Sequence, residues 1–176
     1  MTEVAYTPVA RILHWVTAIL VLANIPIGVV MTNVEGGPLQ DFLFRLHESI
    51  GALLIPIVGF RLLYRLTHHP LPLPLEIPAI QRLAAEGLHW ALYALLIVQP
   101  IIGWIATSSF RAPISVFGLF ELPPIWPENR AFSDQVSEVH AAIGFIIGLL
   151  LRAHIGAALF HHFVRKDRVL MRMVTG

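Results

Sequence analysis

With 176 residues, 56% of them hydrophobic and only 13% charged, the chain is too apolar to cover the surface of a soluble domain of its size. Its mean hydropathy of +0.72 points to the membrane class, and no nucleic-acid partner is expected. There is no cysteine, which excludes disulfides, thiolate–zinc sites, iron–sulfur clusters and covalent c-type haem.

Four apolar runs follow in chain order. The first, about Pro8–Met31, carries His14 and Asn24 and lacks a small-x-small cleavage signal before Glu35. It is also too long for a signal-peptide core, so it reads as a retained helix. The second run, Ile50–Leu66, is the shortest, and its helix is predicted over about 47–66. Next comes Thr67–Pro78, THHPLPLPLEIP, whose alternating prolines predict an extended link with His68 and His69 facing solvent. The third run is Leu83–Thr107. The loop Ser108–Glu138 is the longest, and its Phe117, Phe120 and Trp126 suggest a cap at the membrane interface. Val139–Val164 is the fourth run. Each is close to the roughly 20 residues that cross a ~30 Å hydrocarbon core. Pro26, Pro56 and Pro100 lie inside these runs, where neighbouring helices can satisfy the freed carbonyls. The expectation is one integral-membrane domain over 1–176, an all-α bundle of four transmembrane helices (about 8–31, 47–66, 83–107 and 139–164).

Charge sets the orientation. With both termini on one side, that side holds Arg11, Arg61, Arg65, Arg82, Arg152, Arg165, Lys166, Arg168 and Arg172. Its acids are Glu3, Glu76, Glu86 and Asp167, nine basic against four acidic, a net +5. Arg45, Arg111 and Arg130 face Glu35, Asp41, Glu48, Glu121, Glu128, Asp134 and Glu138 on the other, three against seven, a net −4. The excess of Lys and Arg places both termini in the cytoplasm. The basic C-terminal run also suits anionic headgroups.

The helices repeat faintly. Leu13-His14-Trp15 opens the first and Leu88-His89-Trp90 the third, each with a glycine 14 residues after its histidine, Gly28 and Gly103. His47-Glu-Ser-Ile-Gly51 in the second echoes His140-Ala-Ala-Ile-Gly144 in the fourth. Two matching helix pairs suggest a duplicated unit with approximate twofold symmetry; chance likeness between apolar segments is the alternative.

Histidine is costly in hydrocarbon, so His14, His47, His89, His140 and His154 are functional candidates. His140 and His154 are 14 residues apart, which on a helix is about 21 Å of rise and a return to within roughly 40° of the same face. Alternating helix direction then gives an outer layer of His47 and His140 and an inner layer of His14, His89 and His154. Gly51, Ala52, Ala141, Ala142 and Gly144 near the outer pair, and Ala153 and Gly156 beside His154, leave room for a flat ring. Facing imidazoles with small neighbours in a bundle core suit haem b. Haem propionates need cations. Arg61, 14 residues after His47, lies at the inner depth and suits one; Arg152 points nearly opposite His154 and suits one less; pairing with Glu86 or snorkelling to the headgroups is the plain alternative. His161, two turns after His154, could hydrogen-bond a quinone carbonyl; interfacial solvation is its plain alternative, and His162 follows it in the last turn.

These residues resemble the bacterial cytochrome b561 family, which includes the cytochrome b subunits of Ni-hydrogenases. The resemblance covers essentially the whole chain. It rests on Leu13-His14-Trp15, His47-x-x-x-Gly51, Arg61-Leu-Leu-Tyr-Arg65, Gly87-x-His89, the His140…His154 pair and the tail from His161-His162-Phe163 to Arg172-Met173. Length and tail are most similar to stand-alone members that pass electrons from periplasmic superoxide, through two b haems, to membrane ubiquinone. The resemblance implies two haem b, with His47 and His140 on the outer iron and His14 and His154 on the inner one. Internal symmetry alone would pair His14 with His89 instead, so His89 is left as an inner-layer residue near haem or quinone.

Three functions compete. One is a superoxide:ubiquinone oxidoreductase, although an outer face of net −4 opposes an anionic substrate unless Arg45, Arg111 or Arg130 focuses it locally. Another is an electron-transfer subunit serving a hydrogenase or dehydrogenase partner. The third is a haem-free protein that uses its histidines to carry protons or metal. Lipid and quinone are the expected small partners, with superoxide or a periplasmic protein as donor.

Overall fold

The computed structural model describes residues 5–73 and 77–175. Part of the proline-rich link, and Glu3 and Glu76 of the charge count, lie outside them. Four long helices, α1 (Pro8–Met31), α2 (Pro38–Thr67), α3 (Ala79–Phe110) and α4 (Arg130–Phe160), carry the fold. A two-stranded hairpin, β1 (Ile114–Val116) and β2 (Phe120–Leu122), lies between α3 and α4. After α4 come one π-helical turn, His161–Arg165, and a short α5 (Met171–Val174).

All four long helices are long and apolar enough to cross a membrane. Their outward side chains, such as Ile12, Ile19, Phe60, Leu63 and Phe145, are exposed, as lipid-facing residues are. Helix starts follow local chemistry. Thr7 caps α1 by accepting from the Ala10 N–H at 3.2 Å, with Pro8 at the first helical position. Asn129 caps α4 by accepting from Phe132 N–H at 3.0 Å.

Two expectations need correction. Helices α2 and α4 each begin nine residues earlier than hydropathy places them, at Pro38 and Arg130, and α3 spans 79–110 rather than 83–107. Charged residues such as Asp41, Arg45, Asp134 and Glu138 end an apolar run, but they are compatible with helix, so the helices continue past the hydrocarbon. His47 and His140 are therefore interior to their helices. The long loop also holds β-structure, which an all-α reading omits: Ile114 pairs with Leu122 and Val116 with Phe120, antiparallel. Phe117 (φ 50°) and Gly118 (φ 73°) are both left-handed, as in a type I′ turn, and Leu119 N–H donates to Val116 C=O at 2.9 Å.

Buried serines fasten this hairpin. Ser49 on α2 donates to Ser115 C=O (3.2 Å) and accepts from Phe117 N–H (2.9 Å). Ser108 on α3 accepts from Ile125 N–H (3.1 Å), and Ser133 on α4 donates to Ala106 C=O (2.9 Å). At the opposite end the two chain ends meet. Tyr6 N–H donates to Arg172 C=O (3.2 Å), and Trp15 Nε1 donates to Met173 C=O (3.0 Å).

Helix α1 packs closely on α2, α3 on α4, and α2 on α3, whereas α4 makes no comparable backbone approach to α1 or α2. A slot is left between them. Halfway along it sit Val21, Leu54, Leu96 and Ile147, one per helix, all within 8% of full burial. Each lies seven residues after His14, His47, His89 or His140 respectively, so one apolar layer separates the two histidine levels.

Candidate cofactor sites

On the hairpin side, His47 of α2 faces His140 of α4 across the slot, with ring centroids 6.0 Å apart. They line a cavity of about 500 Å³ with Gly28, Gly51, Ala52, Gly103, Ala141 and Gly144; its walls also include the central apolar layer, and the hairpin residues Ile114 and Leu122. The two repeat glycines are the close walls. A Cβ at Gly28 would stand 2.8 Å from His47 Cε1, and one at Gly103 would stand 3.0 Å from His140 Cε1. Only glycine leaves these rings where they are.

Hydrogen bonding prepares the pair. His47 Nδ1 lies 3.1 Å from the Asn24 carbonyl. A carbonyl only accepts, so Nδ1 carries the proton and Nε2 keeps its lone pair for a metal. Gln99 donates from Nε2 to the His140 carbonyl at 2.8 Å. Asn24 and Gln99 each fall ten residues after the histidine that opens their helix, His14 or His89. Three buried polar atoms here have no partner: Asn24 Oδ1, Gln99 Oε1 and His140 Nδ1.

On the terminal side the arrangement is uneven. His154 lies between His14, at 6.2 Å between ring centroids, and His89, at 5.3 Å. Arg61 donates from Nη2 to His14 Nδ1 at 2.8 Å, which puts the His14 proton on Nε2 in this arrangement. Arg61 also lies over Tyr93 (5.1 Å), and Arg65 over Trp90 (5.2 Å) and Tyr93 (5.5 Å).

The spacing discriminates among the pairs. Metal–imidazole bonds of about 2.0–2.1 Å, with each ring nitrogen about 1.1 Å from its centroid, put two opposed axial rings about 6.3 Å apart. His47–His140 and His14–His154 meet that spacing, and His89–His154 is about an ångström too short for it. On the hairpin side the open cavity, the glycine walls and the unpartnered polar atoms fit a flat group held between two imidazoles; on the terminal side the His14–His154 spacing is what supports a second one.

A family model described as prokaryotic cytochrome b561 matches residues 5–176. The chain belongs to the prokaryotic cytochrome b561 family. It is therefore a membrane electron-transfer protein of a haem b family. Among its relatives, Cytochrome b561 homolog 2 of Escherichia coli is 34% identical, covering 98% of this chain and 93% of the relative. Probable superoxide oxidase CybB of Yersinia pestis is 30% identical, over 92% and 91%. Cytochrome b562 of Cereibacter sphaeroides is 28% identical, over 98% and 96%.

Other sequence candidates fall outside the two pairs. Arg152 is exposed on α4. His68 is exposed and stacks on Tyr64 at 4.0 Å. His162 packs edge-on against Phe163. His161 opens the π-turn, and its Nδ1 is 2.5 Å from Asp167 Oδ2. Burial acts to raise the Asp167 pKa, but the His161 and Val169 N–H hydrogen bonds and the charge of Arg165 outweigh it and hold the carboxyl below its usual value. Sequence reasoning missed Asn24, Gln99, Arg65 and Asp167. The repeat contained the signal for the first two.

Proposed function

We propose that this cytochrome holds two b haems and carries single electrons across the inner membrane, from superoxide on the periplasmic side to ubiquinone, with both termini in the cytoplasm. One observation carries the reading. Helix α4 presents His140 and His154, 14 residues apart, each facing a second imidazole across the slot at 6.0 and 6.2 Å. The Lys and Arg asymmetry supports the orientation. The relative named Probable superoxide oxidase CybB, at 30% identity, supports the donor.

When bound, haem b supplies reversible one-electron acceptance. His47 and His140 would hold the hairpin-side group, and His14 and His154 the terminal-side one. The layer of Val21, Leu54, Leu96 and Ile147 puts apolar side chains between the two levels. Of the three arginines on the hairpin side, Arg111 pairs with Glu128 (3.7 Å) and Arg130 lies over Phe110 (4.5 Å). Arg45 is exposed, with no side-chain partner among the described residues, and offers an incoming anion a local positive field.

Two superoxide anions each give up one electron and leave as dioxygen, and ubiquinone takes the two electrons and two protons to become the quinol. Asp167 fixes the Nδ1 of His161, so Nε2 can carry a proton and pass it to a quinone oxygen. His89, beside His154, is the second candidate for that contact.

A specific observation favours one other reading, an electron-transfer subunit docked to a dehydrogenase or hydrogenase. The hairpin tip exposes Phe117, Leu119 and Phe120 on an otherwise acidic face, which suits a cationic protein donor.

The test is a reduced-minus-oxidised spectrum of the purified protein with haem quantitation, followed by a superoxide pulse with and without ubiquinone. Two haems per chain, reduced by superoxide and reoxidised by quinone, are expected. A colourless protein sinks the redox reading and leaves proton or metal transport. Two haems that superoxide leaves oxidised transfer the case to the docked-subunit reading.

A further inference from the structure

The terminal-side level carries more positive charge than it has partners for. Arg61 and Arg65 stand one turn apart on α2, both half-buried and both against the Tyr93 ring. Arg172 reaches the same end of the bundle from the C-terminal segment, where its backbone carbonyl accepts from Tyr6 N–H and its Nη1 donates to Pro72 C=O at 3.2 Å. Tyr6 lies among all three. Burial raises its pKa above the usual tyrosine value, and the charges of Arg65, Arg172 and Arg61 act against that rise. None of the three arginines has a carboxylate partner among the described residues, where the ion pairs are Arg111–Glu128, His161–Asp167 and Arg165–Asp167.

Gathering guanidinium groups in a half-buried place costs both desolvation and mutual repulsion. The partners on hand are neutral: a histidine nitrogen, aromatic faces and a backbone carbonyl. They satisfy N–H groups without balancing charge. The Arg61–His14 bond makes the same point, because it occupies the nitrogen that must donate if His14 is to ligate through Nε2. An anion that drew Arg61 away would release His14 into its ligating tautomer.

We propose that Arg61, Arg65 and Arg172, with Tyr6, form an anion clamp for the paired carboxylates of the terminal-side haem, closed by the C-terminal segment. This rests on the two-haem reading. The segment from Leu170 to Thr175 is then part of the cofactor site. Its hydrogen bonds to the N-terminal part of the chain, from Trp15 Nε1 to Met173 C=O and from Tyr6 N–H to Arg172 C=O, hold Arg172 at the terminal-side end of the bundle, beside Tyr6. Two carboxylates against three guanidiniums leave the site slightly cationic, which favours the reduced, less positive state of the iron.

The experiment compares unmodified full-length protein with Arg65→Gln, Arg172→Gln, Arg65→Lys and Arg172→Lys, reading haem per chain and the midpoint potential of each haem. The terminal-side signal is assigned by its loss in His154→Ala. Each Gln variant is expected to shift the terminal-side reduction equilibrium about tenfold toward the oxidised form, ~59 mV for one electron, with the hairpin-side haem unmoved. The Lys variants should hold the potential, because they keep the charge while losing the planar stack. Since Arg172 lies on the short tail, its Gln variant tests the clamp even if Arg65→Gln fails to fold. If both terminal-side potential and haem content are unchanged in Arg172→Gln, the clamp is overturned. If the terminal-side potential of the unmodified protein instead follows added phosphatidylglycerol in detergent, and that response is lost in Arg172→Gln, the anion is a lipid phosphate and the clamp is likewise overturned. A wild-type protein with fewer than two haems overturns the two-haem reading itself, before any variant is made.

Discussion

The hairpin-side and terminal-side levels occupy the same scaffold, yet one is symmetric and the other is not. At the hairpin side every part has a counterpart: His47 and His140, Gly28 and Gly103, Gly51 and Gly144, and the amides Asn24 and Gln99. Fourteen residues farther along α2 and α4 the correspondence breaks, because Arg61 stands where α4 has His154. The contacts keep the pattern while the chemistry changes. His14 meets Arg61 as His89 meets His154. The repeated pattern thus gives one level with matched imidazoles, and another where a cation replaces an imidazole and one histidine is left over. The symmetric level suits holding a group rigidly, and the uneven one suits exchange with charge, protons or quinone.

Ligand removal is the sharpest way to break this comparison. His140→Ala and His154→Ala should each abolish one haem and leave about half the absorbance per chain, whereas His89→Ala should keep both. Pyridine haemochrome counts per chain check all three. Loss of a haem in His89→Ala would restore the symmetric pairing of His14 with His89 and remove the distinction between the levels.

Much of this was legible in the sequence because it is written in spacing. The 14-residue interval in α4 and the twin Leu-His-Trp openings survive without knowledge of packing. What was not legible follows from physics that hydropathy ignores. Charge at Asp41 and Asp134 ends an apolar run without ending a helix, so nine residues of α2 and of α4 went unassigned. The strands Ile-Ser-Val and Phe-Glu-Leu are too short to show a period, and their turn uses Phe117-Gly118 where Asn-Gly would have signalled it. Arg61 was recognised for its depth, but its correspondence to His154 is hidden by the change of residue type.

The glycine walls offer a smaller and more discriminating test of the symmetric level. Gly28→Ala and Gly103→Ala should each push one imidazole of the hairpin-side pair, costing about 1–3 kcal/mol as overpacking does. The hairpin-side haem should be weakened or its ligand-field signature changed, with the terminal-side haem intact. Because the two Cβ positions meet equivalent Cε1 atoms at 2.8 and 3.0 Å, similar effects are expected. Electron paramagnetic resonance of the oxidised protein reads ligand orientation at each iron separately. An alanine tolerated silently at one position only would show that the two walls are not equivalent.

The smallest effect belongs to Asp167, which tethers the tail at the uneven level. Its folded pKa is held below the ordinary carboxylate value, so its contribution is fully present above about pH 3.9 and is lost as pH falls through the lower folded value. The side chain is partly solvated, and exposed pairs of this kind contribute up to about 1 kcal/mol. Asp167→Asn should therefore speed hydrogen exchange at the Val169 amide, which donates to Asp167 Oδ1 at 3.0 Å, by about two- to fivefold at neutral pH. Below pH 4 the unmodified protein should lose its protection and approach the variant, while the variant's own protection stays flat once the intrinsic pH dependence of exchange is removed. If the two proteins exchanged alike at pH 7, the carboxylate would not be what seats His161 and the tail, and the proton route through His161 would lose its positioning group.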